Sequence, residues 1–149
     1  MNQKGIIMRF VLLGALVFAL SSCAAMRETN YKNIFKVAYA QEAEQTATDT
    51  YKVSFRFIVF PSANRAQERE NMFTGMLGAL ARKGKALGFV TMQTHDCQGT
   101  RGRAGGSYYI EGRCSAKMFR DALEPSSEVH LIEAAHQKAE ARQAQLEKL

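Results

Sequence analysis

The side chains most capable of chemistry in this 149-residue chain are His95-Asp96-Cys97 and Cys114, with sixteen residues between the two cysteines. A zinc site needs four ligands, commonly with two of them in a C-x₂₋₄-C step. That step is missing, and on an extended strand His95 and Asp96 point to opposite sides, so a metal is the weaker reading. Thiol redox catalysis is weaker still, because there is no C-x-x-C. The remaining chemistry is a disulfide.

Its feasibility can be tested on register. Gly105-Gly106 is a preferred two-residue hairpin turn, and if the chain reverses there, residues whose numbers sum to 211 face each other, Cys97 and Cys114 among them. Counting outward from Ala104 and Ser107, alternation places the cysteines at a non-hydrogen-bonded pair, where Cα atoms approach to about 4.5 Å, within disulfide reach. A looser geometry, with the disulfide clamping a loop from Gln98 to Gly106, fits the five glycines between residues 99 and 112 equally well.

Other catalytic patterns are missing. The chain has no G-x-S-x-G, no H-E-x-x-H, no P-loop and no carboxylate pair singled out by context. It also has no Trp to form a sugar-binding platform. The expectation is a protein that is not an enzyme, with no cofactor and no metal.

The elements that position these residues follow from periodicity. Tyr51 to Phe60 alternates apolar and polar residues before turning wholly apolar, which predicts a strand. Pro61 stops it, and Ser62 or Asn64 can cap a helix. Met72, Phe73, Met76, Leu77 and Leu80 then form one apolar stripe on a helix of about twenty residues. The stripe reads as core and not as a Met-lined ligand groove. Arg82-Lys83-Gly84-Lys85 ends the helix, with cations favoured by the dipole and Gly84 suited to the C-cap. Phe89–His95 and Tyr108–Met118 read as strands, the second with Tyr109, Glu111, Arg113, Ser115 and Lys117 on a wet side.

The order β-α-β-β predicts a small α+β domain over residues 51–125, with about three antiparallel strands and a helix packed on one face. Residues 126–149 read as a C-terminal helix opened by Pro125-Ser126-Ser127-Glu128. Leu131, Ala135, Ala139, Arg142, Leu146 and Leu149 form an Ala-rich seam on it, which predicts docking of the first turns only and a solvated remainder free to meet a partner. His130 and His136, six residues apart, do not share a direction. Gln41 to Thr50 is polar and acidic, so residues 23–50 read as a flexible tether. Within it, Ile34, Phe35 and Val37 support a short element, either strand or helix.

The start of the chain carries a further signal. Phe10–Leu20 is an eleven-residue apolar run behind Lys4 and Arg9, much shorter than the roughly 20 residues needed to cross a bilayer. This is the pattern of a cleaved signal peptide over residues 1–22, with either Met1 or Met8 as the start. Leu20-Ser21-Ser22-Cys23 closes the run and resembles the lipobox of bacterial lipoproteins. The resemblance implies cleavage before Cys23, a diacylglyceryl group on its thiol and acylation, palmitate included, of the new amino terminus. Stable anchoring needs at least two chains at about 0.8 kcal/mol per buried CH₂, and three satisfy that. Ala24 is not the Asp that favours inner-membrane retention in enteric-type bacteria, so the resemblance implies an outer-membrane anchor facing the periplasm.

With Cys23 lipidated, Cys97 and Cys114 remain as an even pair in an oxidising compartment. Loss of residues 1–22 leaves 127 residues, 18 basic and 14 acidic, for a charge of +4. Beside anionic lipid, that balance points to surface attraction. Arg101-Gly102-Arg103 is a single copy of an RG pattern in the wrong compartment for RNA, so no nucleic-acid partner is expected. Arg82, Lys83, Lys85, Arg101 and Arg103 are the candidate contacts for an anionic ligand or partner. Two functions follow. One is an assembly factor or structural subunit of an envelope complex, in secretion, conjugation or a pilotin-like role. The other is a module binding lipid, lipopolysaccharide or peptidoglycan.

Overall fold

The computed structural model describes residues 32–59 and 64–148; the segment 1–22, Cys23 and Phe60-Pro61-Ser62-Ala63 lie outside the described residues. Five strands, β1 (Glu44–Ala47), β2 (Thr50–Val59), β3 (Thr91–Ala104), β4 (Ser107–Phe119) and β5 (Val129–Leu131), form one antiparallel sheet in the order β1-β2-β4-β3-β5. Among the described residues three helices accompany it: α1 (residues 32–39), α2 (Arg65–Ala86) and α3 (Ile132–Glu147). The α+β class expected from the sequence fits. The count of about three strands is too low, because the two edge strands are only four and three residues long.

Alternation sorts the sheet into two faces. Tyr51, Val53, Phe55 and Val59 of β2 and Ile110, Cys114, Ala116 and Met118 of β4 are buried on one face. Met72, Met76 and Leu80 of α2 join that cluster. Full burial of such a side chain contributes about 1.5–3 kcal/mol, so the Met stripe is core, as its spacing predicts.

The ends of α2 follow local rules. At its start, the Asn64 side-chain oxygen accepts a hydrogen bond from the Gln67 amide at 3.1 Å. At its end, the Phe89 amide donates to Gly84 O at 2.9 Å and the Gly88 amide to Lys85 O at 3.2 Å, a Schellman pattern. The left-handed residue is Gly88 (φ 78°) and not Gly84, so the expected cap moves four residues on. Gly84 lies within the helix and lets Ile132 and Met118 approach closely: a Cβ there would lie 2.6 Å from Ile132 Cδ1.

α1 and β1 both fall within residues 23–50, which read from the sequence as a flexible tether holding a short strand or helix. Ile34, Phe35 and Ala38 are fully buried, so the apolar stretch at residues 32–39 is a packed helix. Residues 41–50, read as a tether from their polarity, carry β1 and a tight turn with Asp49 at φ 53°. An exposed edge strand pairs through its backbone and needs no apolar period, which is why the sequence hides it. Packed structure thus begins by residue 32, ahead of the expected boundary at 51.

The expected C-terminal helix is shorter and better docked than its sequence suggests. Ser126 caps a turn, its hydroxyl accepting from the amides of Glu128 and Val129, and β5 precedes the helix. Ile132, Ala139 and Leu146 of α3 are buried, and Arg142 Nε donates to Asn71 Oδ1 at 2.8 Å. Docking therefore runs the length of α3, because α2 meets it with small residues. A Cβ on Gly78 would lie 2.4 Å from Ala139 Cβ.

Candidate functional site

Cys97 and Cys114 are joined by a disulfide. The expected register holds from Ala104↔Ser107 through Gln98↔Arg113, so the hairpin is a continuous ladder and not a clamped loop. It then slips by one residue to His95↔Ser115. The slip is a β-bulge at Asp96 and Cys97, with Asp96 in the left-handed region at φ 52°. The fully buried Cys114 faces the core. Asp96 Oδ1 accepts from Gln98 Nε2 at 2.8 Å and from Arg113 at 3.3 Å. Among the described residues no three His, Cys, Asp or Glu side chains are grouped to hold a metal ion.

The five candidate cations do not meet. Arg82 donates to Tyr39 O at 2.9 Å and Gln41 O at 3.0 Å and lies over the Tyr39 ring, tying the end of α1 to α2. Lys85 pairs with Glu133 at 3.0 Å, joining α2 to α3. That hydrogen bond holds the Glu133 carboxyl below its ordinary range. Lys83 is half-buried in the same last turn. Arg101 contacts both carboxylate oxygens of Glu68 at 2.7 Å, near the other end of α2. Arg103 lies over the Tyr108 ring. Glu68 and Arg82 are separated by about 20 Å at 1.5 Å per residue of helix, so the charges form two separate groups, most of them tied to the fold.

The face of the sheet turned away from α2 is a different surface. Pairing arranges its side chains in rows across β2, β4 and β3: Ile58, Tyr109 and Gly102; Arg56, Glu111 and Thr100; Ser54, Arg113 and Gln98. Arg56 pairs with Glu111 and lies 4.4 Å from the Tyr109 ring centroid. Tyr109 in turn covers Gly102, where a Cβ would come within 2.3 Å of the ring. A groove of about 400 Å³ opens between Lys52, Ser54, Arg56, Gln98, Glu111 and Arg113. The wet side of β4 is legible in the sequence. Lys52, Ser54 and Arg56 are missed as site residues, although the alternation that locates the buried face of β2 locates them too.

On the helical side, Thr74, Leu77, His130, Ala134, Ala135 and Lys138 line a mostly apolar groove of about 350 Å³. Burial lowers the His130 pKa from its ordinary value, and Lys138 adds to the shift. Comparisons with protein families, curated proteins and solved structures find no match to this chain.

Proposed function

We propose that this chain is a non-catalytic lipoprotein, held through Cys23 at the periplasmic side of the outer membrane, that serves as an accessory subunit of an envelope complex and meets its partner through the open sheet face. The observation that carries the reading is the Cys97–Cys114 disulfide. Such a bond persists in oxidising compartments, in keeping with export by the segment that ends at Cys23. The reading favours the sheet over the C-terminal helix as the contact surface, because Ile132, Ala139 and Leu146 of α3 are already buried while Arg56, Ile58 and Ser54 stay exposed.

The test is a pull-down from detergent-solubilised envelope with the wild-type chain and with Arg56→Glu plus Arg113→Glu. A stoichiometric protein partner that the double variant loses supports the reading. No stoichiometric partner in either case overturns it. A second reading, binding of an anionic lipid or glycan, draws on Lys52, Arg56 and Arg113 around the groove against one carboxylate, Glu111. Sedimentation with anionic vesicles or with peptidoglycan separates the two.

A further inference from the structure

β2 is ten residues long, yet its outer neighbour β1 pairs only with Thr50, Tyr51 and Lys52. Beyond Lys52 the chain before β1 turns away into α1. Among the described residues nothing pairs with the outer edge of β2 from Val53 to Val59.

Antiparallel alternation fixes which backbone groups point outward. Ser107 closes the hairpin against Ala104, so the backbone groups of Tyr108, Ile110, Gly112 and Cys114 turn to β2. They meet Val59, Phe57, Phe55 and Val53. The N–H and C=O groups of Ser54, Arg56 and Ile58 therefore face away from the sheet, and these three residues are exposed, Ile58 at 69%. Edges of this kind are usually blunted by proline, a bulge or shortness. From Val53 to Val59 β2 has no proline, and its pairing with β4 runs without a slip. The outer edge of β3 is better protected, with a bulge at Asp96 and Cys97, two glycines and two arginines, Arg101 and Arg103, where β2 has the single Arg56.

We infer that the β2 edge from Val53 to Val59 accepts an extended strand from a partner protein, with apolar residues at alternate positions and a carboxylate opposite Arg56. The inference rests on the reading above that the domain docks on a protein, and it names the mode of docking. On the core side the added strand meets the partly buried Phe57 and Val37, which calls for apolar side chains. On the open side it meets Arg56. In the register centred on Arg56 a second copy of this chain fits poorly, because it sets two arginines directly opposite, and like charges there are unfavourable.

Amide hydrogen exchange on the full chain in detergent micelles tests this, with a seven-residue peptide alternating valine and glutamate and its valine–lysine counterpart as probes. The expected result is fast exchange at Ser54, Arg56 and Ile58 in the free chain, slowed about tenfold by the glutamate peptide and unchanged by the lysine peptide. Arg56→Pro removes one outward donor while sparing the bonds to β4, as edge prolines do. It should abolish the protection with circular dichroism intact, and Ser54→Pro serves if that variant does not fold. Slow exchange at the three amides without peptide shows a covered edge and overturns the inference. Protection by both peptides, or by neither, overturns it as well. An envelope partner that leaves the three amides unprotected rejects the edge and keeps the docking reading; edge protection by peptide with no envelope partner does the reverse.

Discussion

Arg101 places one guanidinium nitrogen 2.7 Å from both carboxylate oxygens of Glu68, whose side chain is only 4% exposed while that of Arg101 is 27% exposed. The pair ties the hairpin to the first turns of α2. Breaking a buried pair costs about 3–5 kcal/mol, and less where one partner reaches water. Arg101→Ala should therefore lower unfolding stability in urea by about 2–3 kcal/mol. Arg103→Ala, removed from an exposed ring, should cost under about 0.5 kcal/mol. Equal losses for the two would show that the contact with Glu68 contributes nothing special.

Gly78 sits where α1, α2 and α3 converge, with Ala139 Cβ and the Tyr39 ring inside the space a methyl would take. Helix propensity alone favours Gly78→Ala by about 1 kcal/mol. Overpacking costs about 1–3 kcal/mol, and the displaced atoms belong to an alanine on a packed backbone, which has little room to yield. Calorimetry should show a lower melting temperature for Gly78→Ala. A higher one would mean that α3 slides freely on α2.

Closing a loop of 17 residues restricts the unfolded chain by an amount worth about 3 kcal/mol. Cys97→Ser together with Cys114→Ser should reduce the unfolding free energy by close to that amount. Thiol labelling of denatured, unreduced protein should leave both cysteines unmodified until a reductant is added. Immediate labelling would revive the thiol and metal chemistries.

The His130 pKa is lowered from 6.5 by burial and by Lys138. A histidine whose folded pKa lies below its unfolded value favours the neutral form in the native state. Its contribution is present above the unfolded value and lost as the pH falls from about 6.5 toward the lowered folded value. Stability measured in urea should therefore decline below pH 6.5, and His130→Gln should flatten that decline. An unchanged slope in the variant would assign the decline to other groups.

The sequence is most legible where side chains carry the signal. Alternation in β2 and β4 and the stripe on α2 translate into buried faces, and the Gly105-Gly106 register holds as far as Gln98↔Arg113. It is least legible where the backbone or a small residue decides. β1 is four exposed residues held by main-chain bonds, so Glu44 to Ala47 looks like a linker. α3 looks poorly anchored because its seam is Ala139, but Gly78 brings the partner helix close enough for a methyl group to be sufficient. The spacing of the candidate cations is illegible for a different reason. Arg82 and Arg101 lie near opposite ends of one helix, a separation that a list of charges cannot display.

The disulfide has one more consequence. It sits at the base of the β3–β4 arm, so residues 98–113 form a ring closed through sulfur. A protease that cuts anywhere in that arm severs the main chain without releasing a fragment, since both ends remain tied at Cys97 and Cys114. After such a cut the domain still migrates as one covalent body and comes apart only after reduction.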